Sequence, residues 1–214
     1  AEGATILARA YLATGDRDGA RKMLGAFWRG KTLAPDEEAA ILAEFGDLID
    51  RADHRFRMEK LLYGERVLQA QKLAGPAGAE ALQKAWAAVL RGDQNAGKLL
   101  IAVPAEQRSA GFVFAQARQL RRANDLAGAA ALMAGAPKDA ATLVDPDAWW
   151  AERRVLARAL MDAGDARRAY QVAAVQAAGS TVSTIDAAFH AGWYALRALG
   201  DAKLAAGHFS RIAE

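Results

Sequence analysis

Apolar residues recur at helical spacing along nearly the whole of this chain, in paired runs that break at a Gly-Asp or Asn-Asp step. The pattern is plainest from Asp145 to Ile212. Trp149, Trp150, Leu156, Ala157, Leu160 and Met161 form a broad stripe of the kind a helix buries. Pro146, following Asp145, suits a first helical position, because the N–H that proline lacks would be unpaired there and the aspartate accepts from the next free amides. Gly164 stops the helix, since glycine enters the left-handed cap conformation without strain. Asp165 then opens a partner helix in which the small Ala169 lets two axes approach, while Tyr170 and Val172 supply bulk. A second copy places Phe189, Trp193 and Leu196 in the stripe before Gly200, and Ala205, Phe209 and Ile212 after Asp201. The pattern predicts a helical hairpin, written twice.

The rest of the chain follows the same grammar. A first hairpin is predicted over residues 4–14 and 18–29, turning at Gly15-Asp16, with Ala8 and Tyr11 before the turn and Ala20 and Leu24 after it. Pro35, followed by Asp36, Glu37 and Glu38, opens a further helix with acids in the first turn, where the helix dipole favours them. Its predicted partner is a single helix over residues 54–73 that carries Phe56, Leu61, Leu62 and Leu68, with Gly75-Pro76 as the stop. A helix over about 79–90 turns at Gly92-Asp93 into a weaker one ending near Val103. Pro104 opens a helix that runs to Arg122 and turns at Asn124-Asp125 into residues 127–134. Residues 135–144 carry little helical patterning and form the best internal linker, within a single domain over residues 1–214.

Aligning the turns exposes a repeat. Seven residues before the Gly or Asn stand Ala8, Ala117, Ala157 and Trp193; four before stand Tyr11, Leu120, Leu160 and Leu196; five after stand Ala20, Ala129, Ala169 and Ala205. The last three turns are spaced close to the period of two-helix repeats of the tetratricopeptide kind. The predicted fold class is all-α: an α-solenoid, or superhelix, of antiparallel helical hairpins, in which each hairpin buries its faces against its neighbours.

Composition narrows the functional classes. The chain is 53% hydrophobic and 25% charged, far from the disordered range. Its 28 basic and 25 acidic residues leave a formal charge of +3 without a block of like charges, so no nucleic-acid arm is read. There is no cysteine, which excludes disulfides and thiolate chemistry. No apolar run approaches the roughly 20 residues of a membrane span.

The longer words carry a resemblance. WWAERRVLARALMDAGDARRAY and FHAGWYALRALGDAKLAAGHF, with RMEKLLYGERVLQAQKL and VPAEQRSAGFVFAQARQLRRANDLAGAAALM upstream, resemble the superhelical domain of soluble lytic murein transglycosylases in the form typical of alphaproteobacteria. Trp149-Trp150 with Glu152-Arg153-Arg154 is the most specific part. The resemblance implies a periplasmic protein that cleaves peptidoglycan glycan strands, leaving an anhydro end on the muramyl sugar. It also implies a curved or ring-like helical platform, with cleavage by a separate lysozyme-like domain downstream. The catalytic acid of that family is a glutamate followed by serine, and no Glu-Ser pair occurs in this sequence. The chain therefore reads as the platform without its catalytic domain, and no catalytic residue is carried over.

A search for chemistry from the residues alone leads the same way. Glu37-Glu38 suits a helix dipole better than an acid/base pair. His54, His190 and His208 stand apart in sequence, none with a second ligand at metal spacing, so no metal and no cofactor are assigned. Ser183 with Asp186 suits an N-terminal cap. Trp28, Trp86, Trp149, Trp150 and Trp193 are the rings available to a glycan-binding face, but most of them follow helical stripes and are expected in the core. Trp149 and Trp150 point about 100° apart on a helix, so one of them is expected to be an exposed ring, covered by Arg153 or Arg154. These four residues are the candidate contact for glycan or for the catalytic domain. The expected partners are peptidoglycan strands, that domain, or, if the chain is an independent helical-repeat scaffold, another protein. Self-association through apolar surface near Phe209 and Ile212 is expected as well, because terminal repeats need a polar cap.

Overall fold

A computed structural model of the chain describes residues 1–175 and 179–213. The described residues are all-helical, with helices packed in neighbouring pairs, and they divide into two compact units, residues 1–83 and 84–214.

The first unit holds α1 (Glu2–Ala13), α2 (Arg17–Gly30), α3 (Pro35–Phe45), α4 (Arg51–Tyr63) and α5 (Val67–Ala77). α1 pairs with α2 and α4 with α5. Ala8, Ala20, Leu24, Phe45 and Leu48 form one buried cluster, with Tyr11 and Met23 against it. α6 (Glu80–Arg91) runs across the division between the units. The second unit continues with α7 (Ala96–Ile101), α8 (Ala110–Arg122), α9 (Leu126–Ala134), the short α10 (Ala140–Leu143), α11 (Pro146–Asp162), α12 (Ala166–Ala174), α13 (Thr181–Arg197) and α14 (Ala202–Ala213). Here α8 pairs with α9, α11 with α12, and α13 with α14.

The hairpin turns share one construction. At Gly15, Gly92, Asn124 and Gly164 the residue is left-handed, and its N–H bonds the carbonyl three residues back. The following aspartate N–H reaches five residues back: Asp16 to Tyr11 at 2.9 Å, Asp125 to Leu120 at 2.9 Å and Asp165 to Leu160 at 2.8 Å. This is the Schellman arrangement, which satisfies two carbonyls left over at a helix end. At three of these turns the same aspartate then caps the next helix, Asp16 Oδ1 accepting from Gly19 N–H at 2.8 Å, Asp125 Oδ1 from Gly128 N–H at 2.9 Å and Asp165 Oδ1 from Arg168 N–H at 3.1 Å; α7 instead starts from Asn95. Three residues thus close one helix and open the next. The alanine five places on is buried after Gly15, Asn124, Gly164 and Gly200, at Ala20, Ala129, Ala169 and Ala205, where a larger side chain would push the paired axes apart; after Gly92 that position is Gly97.

Four local expectations are corrected. Residues 54–73 are not one helix: α4 and α5 are separated by a turn at Glu65, left-handed at φ 58, where the Glu65 N–H bonds the Leu62 carbonyl and the Arg66 N–H that of Leu61. The helix does not stop at Gly75-Pro76 but passes through Pro76 and ends on Gly78. Proline lacks only one intrahelical bond there, and Gly78 supplies the left-handed cap. Pro104 opens a short 3₁₀ turn, and α8 begins later, at Ala110, because Ser109 Oγ accepts from Phe112 N–H. The cap of α13 is Ser180, whose Oγ accepts from Ser183 N–H at 3.3 Å; Ser183 itself lies inside the first turn.

The segment 135–144 contains α10 and buries Ala136 and Leu143. It ends on Val144, held at φ 65, a position that a β-branched residue rarely takes.

Candidate functional site

Helix α11 carries the predicted contact residues, and the fold surrounds it with neighbours. Trp149 is fully buried, its ring 5.3 Å from that of Phe114 on α8. Arg153, one turn later and also buried, lays its guanidinium 5.2 Å from the Trp149 ring. It donates to the carbonyls of Met133 at 3.4 Å and Val175 at 3.3 Å, at the ends of α9 and α12. Helix C-termini leave carbonyls unpaired and carry partial negative charge, so a buried cation there is compensated.

Glu152 points to a different neighbour. Its carboxylate accepts from Arg121 Nε at 2.5 Å and pairs with Arg118 at 3.6 Å, both on α8. Trp150 and Arg154 point to a third. Trp150 Nε1 donates to Asp186 Oδ2 at 2.8 Å, and Arg154 donates to the same oxygen at 3.0 Å. His190 Nδ1 lies 3.2 Å from the other oxygen of Asp186, with its ring 5.7 Å from that of Trp150. The run Trp149 to Arg154 therefore ties α11 to α8, α9, α12 and α13.

The expectation of one exposed ring in the Trp149-Trp150 pair is not met: both are buried. Adjacent residues do point apart, but each direction meets a different helix. Trp28 and Trp86 are fully buried as expected, and Trp193 is not. Phe189, Trp193 and Leu196 were read as core and stand exposed, together with Val182 and Ile185. The reason is the opposite face of α13. Ala187, Ala188, Ala191, Gly192 and Ala195 form a ridge of small residues, and α13 turns that ridge to its neighbours. A Cβ on Gly192 would stand 2.6 Å from the Phe209 ring of α14. Close approach of two helices is bought with small residues; Tyr194 is buried beside them, and the other large apolar residues of the helix are left outside. Binary pattern alone could not find this face; the run of alanines and the glycine beside the aromatics was the available signal.

The remaining candidates are structural in position. Glu37 accepts from Ala34 N–H at 2.9 Å, closing the start of α3. Glu38 pairs with the buried Arg57, which also donates to the carbonyls of Trp28 at 2.8 Å and Lys31 at 2.6 Å. His54 packs edge-on to Trp28, and burial holds its pKa below the ordinary value. His208 Nε2 lies 3.0 Å from the Tyr170 hydroxyl, and burial, followed by nearby Arg211, lowers its pKa too. Beside this pair is an open groove of about 460 Å³ lined by Tyr170, Asp201, Lys203, Leu204, His208 and Arg211. Ile212, beyond the groove, is half-buried, as is Phe209.

Among the described residues, no group of three or more His, Asp or Glu side chains is placed to hold a metal ion, and no helix is long and apolar enough to cross a membrane. No protein-family model matches the chain, nor does a curated protein or a solved structure.

Proposed function

We propose that this chain is the non-catalytic helical platform of a periplasmic lytic transglycosylase, organising glycan or a catalytic domain rather than cleaving the strand itself. The observation that carries the reading is the junction on α11. The Trp-Trp-Ala-Glu-Arg-Arg word that carries the resemblance spends its polar groups on neighbouring helices: Glu152 on α8, Arg153 on the carbonyls of Met133 and Val175, Trp150 and Arg154 on Asp186. A polar cluster that fixes helix against helix supports an architectural role, since reacting groups must instead converge on a space that a substrate can enter. A second reading, an independent scaffold that docks a protein partner, is favoured by the exposed aromatic face of α13.

Co-sedimentation of the purified chain with isolated peptidoglycan sacculi, with the supernatant assayed for anhydro-muropeptides, tests the proposal. Binding without release is the expected result. Release by a clean preparation would overturn the non-catalytic reading, and absence of binding would move the assignment to a scaffold for protein alone.

A further inference from the structure

The exposed face of α13 is ordered in an unusual way. Ile185 and Trp193 each stand four residues from Phe189, and Val182 and Leu196 each stand seven. The spacing reads the same in both directions. The other exposed positions between Thr181 and Leu196 are threonines, so the stripe is uncharged along a length of about 21 Å at 1.5 Å per residue. A contiguous apolar stripe of this kind marks an interaction surface. The small-residue side of the same helix is already occupied by its neighbours, which leaves this face for something outside the fold.

We propose that the occupant is a second copy of this chain, joined as an antiparallel α13 pair about a two-fold axis beside Phe189. A two-fold interface must be self-complementary, each residue meeting its symmetry counterpart. In an antiparallel helix pair, a residue a given number of places before the axis faces the residue the same number after it on the partner. Mirrored spacing about Phe189 therefore sets Val182 against Leu196, Ile185 against Trp193, and Phe189 against itself. At 100° per residue, positions four before and four after lean to opposite sides of the stripe, and so do positions seven before and seven after. Across the axis the side chains pass beside one another instead of meeting end-on, which is how helix ridges fill grooves. A different protein would have no reason to select a stripe with this symmetry. The surface expected near Phe209 and Ile212 is thereby placed on α13 instead, and the pairing does not rest on the cell-wall reading.

Sedimentation velocity over a concentration series tests association, and crosslinking tests its register. The wild-type chain passes from monomer to dimer as concentration rises. F189E, which sets two carboxylates face to face at the axis, stays monomeric at concentrations where the wild type is paired. The chain has no cysteine, so V182C and L196C each give a single labelling site at an exposed position. With a short bismaleimide, a mixture of the two variants yields a V182C–L196C product, and neither variant alone crosslinks to itself. If F189E loses its helical circular dichroism, the crosslinking pattern decides, because those positions tolerate substitution. A wild type that stays monomeric throughout the series overturns the proposal, as does self-crosslinking of V182C equal to the mixed product.

Discussion

Helices α11 and α13 occupy the same place in successive hairpins, their turns at Gly164 and Gly200, yet they bury opposite kinds of residue. Matched by distance from the turn, Trp149 corresponds to Ile185, Arg153 to Phe189, Ala157 to Trp193 and Leu160 to Leu196. The α11 members are 0%, 1%, 1% and 2% exposed, and the α13 members 40%, 49%, 43% and 43%. Register in the repeat is thus shared while facing is not. In α11 the large side chains meet Phe114, Arg121 and the ends of α9 and α12; in α13 a small-residue ridge with Tyr194 is buried, and Asp186 and His190 reach α11. A helical repeat fixes where a helix starts and stops. Which of its sides goes inward is decided by how closely its neighbours come.

The sharpest test of that contrast is Trp149→Ala. A fully buried indole packed between Phe114 and Arg153 leaves a cavity on truncation, and the expected loss is about 3–5 kcal/mol, read from urea unfolding. A loss below about 1 kcal/mol would mean that α11 is not the clasp of its unit. Next in size is Glu152→Ala, which removes the carboxylate shared by Arg121 and Arg118. Charge-assisted bonds of this kind contribute about 1.5–3 kcal/mol, so a loss of about 2–3 kcal/mol is expected, and R121M should lose less when combined with it than alone.

Much of this architecture was legible before the fold was known, because turn chemistry is local. A left-handed residue that closes a helix needs Gly or Asn, and an aspartate after it can cap the next one; those letters stand at Gly15-Asp16, Asn124-Asp125 and Gly164-Asp165, and Gly92-Asp93 shares the turn without the cap. The turn at Glu65 was missed because its glycine stands one place early and a glutamate takes the left-handed position. Leu61 four before it and the buried Ala70 five after it nonetheless fit the repeat. The junction on α11 was found as a word, and the exposed ring expected in it was not found. Amphipathic spacing cannot tell a ring that faces solvent from one that meets a third helix, and both Trp149 and Trp150 met one. The exposed stripe of α13 escaped for the complementary reason: large apolar residues at helical spacing look like core wherever they point.

Trp150→Phe probes the link between the two helices that are being contrasted. It keeps a smaller aromatic ring and deletes the Nε1 donor to Asp186, leaving Arg154 and His190 on that carboxylate. The group is only partly screened from water, and a single hydrogen bond is worth about 1 kcal/mol, so a loss near that value is expected in the same urea titration. A loss matching that of Trp149→Ala would show the two tryptophans to be equivalent and would remove the distinction between a clasped face and a bridging one.

The smallest effect is expected at Trp193→Ala, and it is the change on which the comparison turns. Trp193 is 43% exposed in the folded chain, and its aromatic neighbour is the adjacent Tyr194, with ring centroids 5.4 Å apart. Truncating a side chain that the fold covers only in part removes far less than truncating a buried one, and alanine is the better helix former. Measured at a dilution where the chain is monomeric, stability should move by less than about 0.5 kcal/mol. At higher concentration the same variant should unfold earlier than the wild type, because it weakens a contact that only the paired state makes. A large loss at every dilution would place Trp193 inside the fold, and the opposite facing of α11 and α13 would not stand.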